Sequence, residues 1–224
     1  EKIINGKPIQ YITNNQEFMK LNFYVDENVL IPQPDTEILV EEVIKSIDKM
    51  ENIEILDMCT GSGCIGISLA KNIENTKVTL VDISKEAIEI AKKNAIQNEV
   101  ESKVTFIKSD MFENVKRKFD IIVSNPPYIK TDIIQTLDKQ VQNEPHIALD
   151  GGEDGLNFYK ILINEAYKYL KKDGKIFLQL DCENAKELSL KWGEKLYPFA
   201  RTGKKWALEL PFSSPVNYVQ ICVD

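Results

Sequence analysis

From residue 54 onward, short apolar runs alternate with amphipathic helical stretches, a pattern that restricts the chain to a parallel sheet covered by helices on both faces. The runs at 54–58 (EILDM), 77–82 (KVTLVD), 104–108 (VTFIK), 119–124 (FDIIVS) and 174–180 (GKIFLQL) read as the strands. Between the second and third, Ala87, Ile88, Ala91 and Ala95 are spaced for one helical face, with Ser84 as N-cap and Glu86 and Glu89 in the early turns. A further helix is expected over 154–172, stopped by Asp173-Gly174.

The front of the chain follows another pattern. EFMKLNFYVDENVLI has two β-like halves around Asp26-Glu27-Asn28, which predicts a hairpin with a turn longer than two residues. IPQPDTEILVEEVIKSI then reads as a proline-framed loop entering a helix, with Asp35 or Thr36 near its cap and an apolar face through Ile38, Leu39, Val43 and Ile47. The expected division is a linker and β-hairpin over 1–34 and an α/β domain over 35–224. In the last thirty residues, marked by Pro198, Pro211 and Pro215, VNYVQICV reads as a strand.

The strand ends carry the chemistry. After the first strand, Asp57-Met58-Cys59-Thr60-Gly61-Ser62-Gly63-Cys64-Ile65-Gly66 places glycines in a GxGxxG spacing at a strand-to-helix junction. There the backbone turns tightly and approaches a ligand, so Gly61 and Gly63 are expected to leave no room for a side chain. Asp82 ends the second strand, where a carboxylate accepts both hydroxyls of a ribose. Asp110 ends the third, placed to accept from an adenine amino group while Met111 packs on the ring. Asp57 discriminates between nucleotides: a carboxylate gains nothing beside a pyrophosphate but balances the amino group of a methionine moiety. The set favours S-adenosylmethionine over NAD.

The fourth strand ends in Asn125-Pro126-Pro127-Tyr128. Two prolines supply no N–H and hold φ near about −65°, and Asn125, preceding a proline, is pushed out of the α region. A stiff loop that offers acceptors results. The Asn125 side-chain oxygen and the Pro126 carbonyl suit the two hydrogens of a planar NH2 group, with the Tyr128 ring over its π system.

Composition narrows the partners. No run reaches the roughly 18 apolar residues of a membrane span, and EKIINGKPIQ has no signal-like apolar stretch, so a cytoplasmic monomer is expected. The 4 cysteines, Cys59, Cys64, Cys182 and Cys222, form no CxxC pair and His146 is the lone histidine, which argues against a metal site or a disulfide framework. A net charge of −7, with Arg117 and Arg201 as the arginines, favours a protein or small-molecule substrate over direct nucleic-acid binding.

Taken in order, FYVDENVLIPQPDTEILVEEV, ILDMCTGSGCIGISLA, VDIS, SDMF, SNPPYI and EPHIALDGGEDGLNFYK resemble the protein-(glutamine-N5) methyltransferases that modify peptide chain release factors. The resemblance implies a class I S-adenosylmethionine-dependent methyltransferase fold: a Rossmann-like seven-stranded sheet in the order 3-2-1-4-5-7-6, the last strand antiparallel, with the β-hairpin appended. It implies methylation of the glutamine in the Gly-Gly-Gln loop of release factors. It places cofactor on Cys59, Thr60, Gly61, Ser62, Gly63, Asp82, Met111 and Asn125, beside the Asp57 and Asp110 read from the strand ends, and the glutamine on Asn125, Pro126, Pro127 and Tyr128. Asn125, Pro126 and Tyr128 would carry the catalysis, while Glu144 and Pro145 shape a wall and His146 is structural or at the surface.

Three departures accompany it. Gln33 replaces an arginine usual in the IPxP stretch, the fifth strand runs into LQLDC, and a helical domain usual in front of this region is not recognised. A glutamine methyltransferase of a ribosomal protein and an adenine-N6 methyltransferase on DNA or RNA are the alternatives, the second weakened by the charge. An inactive cofactor-binding module and an NAD-dependent oxidoreductase stand further off.

Overall fold

In this computed structural model, residues 6–47, 52–180, 199–200, 206–208 and 218–223 are described. The front segment contains α1 (Ile9–Thr13), β1 (Gln16–Phe18), β2 (Leu21–Phe23) and α2 (Asp35–Ser46). Next come β3 (Ile53–Met58), α3 (Cys64–Asn72), β4 (Thr76–Asp82), α4 (Lys85–Gln97), β5 (Val104–Lys108) and β6 (Phe119–Ser124). The chain continues through α5 (Lys139–Gln142), α6 (His146–Leu149), α7 (Asn157–Glu165), β7 (Leu170–Leu180), β8 (Phe199–Ala200), β9 (Trp206–Leu208) and β10 (Tyr218–Val223).

The sheet runs β5-β4-β3-β6-β7-β10-β8, with β9 beside β10. Its first five strands are parallel and in the expected places. Side chains alternate between faces with period two. Ile55, Ile121, Val123 and Phe177 join a core that includes residues of α2, α3 and α4. Their neighbours Leu56, Met58, Ile122 and Leu178 join another with Tyr159 and Leu162 of α7. Sheet strands buried on both faces therefore read as unbroken apolar runs.

Four expectations need correction. The hairpin turns at Met19-Lys20, both at positive φ (51° and 61°), so the connection is the tight two-residue kind; no glycine or asparagine marks it. Asp26 closes a later turn instead, its Oδ1 accepting from the Asn28 N–H. The helix expected over 154–172 is confined to α7 and a 3₁₀ turn over Ala166–Tyr169, because β7 already begins at Leu170. A register shift opposite Phe119/Ile121 absorbs Asp173-Gly174 into the strand, with Asp173 at φ 62°. Finally, β10 pairs parallel to β7 rather than antiparallel, and its antiparallel neighbour is β9. Cys182, Pro198, Pro211 and Pro215 lie outside the described residues.

A buried side chain of α4 ties the front segment to the glycine turn. Asn94, fully buried on the apolar face of α4, donates from Nδ2 to the carbonyls of Ser62 and Tyr24 and accepts the Tyr24 N–H at Oδ1. Asn94→Ala would strand these backbone groups, so a loss of about 3 kcal/mol is expected. Urea unfolding with an unchanged m-value is the check.

Candidate functional site

The carboxyl ends of β3, β4 and β6 open onto a cavity of about 370 Å³, where ligands of parallel sheets bind. Cys59, Gly61, Asp82, Asp110 and Met111 line it, as do Asn125 and Pro127. Behind it lies a second cavity of about 290 Å³, lined by Gln33, Asp35, Pro126, Tyr128, Glu144 and Gln179. Leu30, Asn125 and Ala148 line both. The two prolines thus face opposite ways, Pro127 to the first space and Pro126 to the second. Asn125 stands at the junction, its Oδ1 buried without a hydrogen-bond partner among the described residues. An orphaned acceptor where two spaces meet fits a donor brought by a ligand.

The glycine turn is built from inside. Asp57 does not line the cavity: it is fully buried, and its Oδ2 accepts from Thr60 Oγ1 at 2.5 Å and from the Gly66 N–H at 2.9 Å. Burial pushes its carboxyl up to about 7, against the pull of those two bonds. Its expected part beside a methionine amino group gives way to holding the turn. Asp82 does both, because its Oδ2 accepts the Gly61 N–H and its Oδ1 the Ser84 N–H while its carboxylate still borders the cavity. Burial raises this group too.

Thr60, Ser62 and Gly63 line neither cavity. Gly63 sits at φ 82° where a Cβ would come within 2.7 Å of Ile67 Cδ1 and 3.1 Å of Ala91 Cβ, so it is glycine for packing. Gly61, at φ 53°, would meet nothing within 4 Å, because its missing Cβ faces open space. Ligand approach is a property of Gly61 rather than of both. On the far wall the Cys59 and Met111 sulfurs lie 3.9 Å apart; burial raises the Cys59 thiol well above its usual value, so it is a packing group and not a nucleophile.

The loop after Tyr128 is pinned by the glycine-rich stretch. Ile129 donates to Leu149 O and Gly151 to Ile129 O, at 2.9 and 2.8 Å. Asp150 Oδ1 accepts from Thr131 Oγ1 and from the Gly152 N–H, which holds its carboxyl below the usual range. Of the two places expected for His146, structural or surface, it takes the surface, 3.8 Å from Asp150.

The residue reading missed three features: Asn94 behind the glycine turn, Glu144 reaching across to the Ile31 N–H at 2.8 Å, and the second cavity itself. Asn94 left a trace, being polar between Ala91 and Ala95 on an apolar face. The other two depend on contacts between distant segments.

A family model for the methyltransferase small domain matches residues 33–144. The release factor glutamine methyltransferase of Clostridium acetobutylicum is 46% identical over 186 residues, 81% of this chain and 65% of that protein. The protein of the same name from Thermodesulfovibrio yellowstonii is 43% identical over 190 residues, 83% of this chain and 68% of its own length. The chain thus spans somewhat less than two thirds of the first relative and slightly more of the second. Among solved structures, the hMettl16 catalytic domain in complex with the MAT2A 3'UTR hairpin 6 superposes with a TM-score of 0.56 at 18% identity, covering 67% of this chain and 58% of that one. That likeness concerns the fold alone.

Two outcomes are expected. Gly63→Ala should be less stable than Gly61→Ala by about 1–3 kcal/mol, the cost of overpacking, since both carry the same positive-φ penalty; equal melting temperatures would refute the packing role. For Asp57, a native pKa raised from 3.8 to about 7 means that the native state holds the proton more tightly than the unfolded chain. Its contribution to stability is full below about pH 4 and lost as pH rises through about 7. Asp57→Asn should therefore show a smaller loss of stability between pH 5 and pH 8 than wild type, read by denaturant unfolding at both pH values.

Proposed function

This chain belongs to the release factor glutamine methyltransferase family and has the class I methyltransferase fold, and from that premise we propose that it methylates a glutamine side-chain amide of peptide chain release factors, using S-adenosylmethionine. The observation that carries the reading is Asn125 at the seam of two cavities with a buried, unpartnered oxygen. One space suits a nucleoside, bounded by Gly61, Asp82, Asp110 and Met111. The other is smaller and ringed by amide and carboxylate groups.

When bound, the cofactor supplies an electrophilic methyl group on a positively charged sulfur. The chain's own residues must then make an unreactive nitrogen attack, because an amide lone pair is delocalised into its carbonyl. Asn125 Oδ1 accepts one amide N–H and the Pro126 carbonyl accepts the other. Both acceptors favour positive charge gathering on the nitrogen and orient it toward the first cavity, which is catalysis by position and preorganised dipoles. Tyr128, on the second cavity, covers the amide plane. Such a site needs no strong base, since the nitrogen becomes acidic once it is alkylated. On the cofactor side Asp82 has acceptor capacity beyond the Gly61 and Ser84 N–H groups for ribose hydroxyls, and Asp110 is exposed at the rim for the adenine edge.

The test is methyl transfer from labelled S-adenosylmethionine to a release factor, to the same factor with its Gly-Gly-Gln glutamine replaced, to a ribosomal protein and to adenine-containing oligonucleotides. Label should appear in the intact release factor and disappear with the glutamine. Asn125→Ala is expected to lower kcat by about a hundredfold or more, the scale of one preorganised transition-state partner, with cofactor affinity changed far less. An alanine variant that turns over near the wild-type rate would remove the two-acceptor arrangement.

A further inference from the structure

Glu144 is a buried carboxylate, 8% exposed, on the wall of the second cavity. Its Oε2 accepts the N–H of Ile31 at 2.8 Å, across a sequence separation of 113 residues. Ile31 opens the segment Ile31-Pro32-Gln33-Pro34, in which every second residue lacks an N–H. Such a segment cannot be held by a backbone ladder, so its position depends on side chains that reach its few donors. Glu144 reaches one of them. The residues beside the contact make that position consequential: Leu30, next to Ile31, and Ala148 of α6 border both cavities, and Gln33 and Asp35 border the second.

We infer that Glu144 is a positioning residue, a clamp that fixes the Ile31–Pro34 segment against the 144–149 segment and so sets the width of the second cavity. The inference rests on the amide-binding reading of that cavity. Titratable neighbours are few. Tyr11 of α1 donates to the Val29 carbonyl, its phenol raised far above the usual range by burial first and then by Glu144; Asp35 at the start of α2 shares the cavity, and His146 lies on the same segment, exposed. No cation forms an ion pair with Glu144 among the described residues. Burial pushes its carboxyl up to about 7 although the Ile31 N–H pulls it down. Either protonation state can accept that N–H, the charged one more strongly. The clamp therefore tightens as pH rises through about 7.

Two variants separate acceptor from charge. Glu144→Gln keeps an oxygen for Ile31, and Glu144→Ala removes it. Two readouts are taken at several pH values between 5.5 and 8.5: the Ile31 amide protection factor by hydrogen exchange, which needs no reaction, and kcat and KM for a peptide carrying the Gly-Gly-Gln loop. In Glu144→Ala, Ile31 protection should fall at least tenfold and KM rise at least tenfold, with kcat within about threefold. In Glu144→Gln both should stay within about threefold of wild type and lose the pH dependence. Unchanged protection in Glu144→Ala, or Glu144→Gln as impaired as Glu144→Ala, overturns the clamp. A wild-type chain that leaves the peptide unmethylated while Ile31 protection still depends on Glu144 supports the clamp and overturns the methyl-transfer reading.

Discussion

The floor of the first cavity hangs on one buried carboxylate. Helix α3 begins at a glycine N-cap, Gly63, which has no side chain to accept the free N–H groups of the first turn. Asp57, on the preceding strand, performs that service from outside the helix, accepting the Gly66 N–H and the Thr60 hydroxyl with one oxygen. A remote cap frees the cap position to be glycine, so the turn can take the positive φ at Gly61 and Gly63 that a serine or aspartate would resist. Asp82 completes the arrangement by holding Gly61 from the next strand, so two neighbouring carboxylates fix the turn between β3 and α3.

The second cavity solves a different problem. Its walls come from two proline-framed loops, Ile31–Pro34 and Asn125–Tyr128, that are poor in backbone donors and cannot pair as strands. Stiffness comes from the prolines, and position from outside. Glu144 holds one loop through Ile31, and the stretch from Asp150 to Gly152 holds the chain after Tyr128 through Ile129 and Thr131. In the first loop the carbonyls of Ile31, Gln33 and Pro34 already accept from Gln33 Nε2 and from the Thr36 and Glu37 N–H groups, whereas in the second the buried Asn125 Oδ1 has no partner among the described residues. The order of NPPY and GGEDGL along the chain thereby acquires a physical reason, since the second segment is the support of the first.

What the sequence made legible follows from range. Five strands and α4 were readable because their signals are local: unbroken apolar runs, and a serine cap whose hydroxyl does accept the Ala87 N–H. Cys59, Gly61, Asp82, Asp110, Met111 and Asn125 gather at one cavity because parallel strands end on one edge. Asp57 was misread in role because a carboxylate at a strand end looks the same whether it points to solvent or beneath the next turn; only the Gly66 contact tells them apart. The hairpin was misplaced because Met19 and Lys20 adopt left-handed conformations without the usual residues, a case of tertiary packing overriding local preference. Leu170 entering β7 before Asp173-Gly174 is likewise invisible locally, since it depends on pairing with Phe119.

Charge gives the last constraint. Among the described residues that line the two cavities there is no lysine, arginine or histidine, whereas Asp35, Asp82, Asp110 and Glu144 all border them. A groove for a nucleic-acid backbone requires the opposite sign, because phosphate neutralisation supplies most of the affinity. Under the proposed reaction, a positively charged sulfur would sit in the first cavity, which Asp82 and Asp110 border. Low polarity around them makes each carboxylate count for more than it would in water. Burial raises the carboxyls of Glu144, on the second cavity, and of Asp57, beneath the glycine turn, each to about 7. A cationic ligand in the first cavity would favour the ionised form of Asp82, which burial also raises, so binding there and that ionisation are coupled: each stabilises the other.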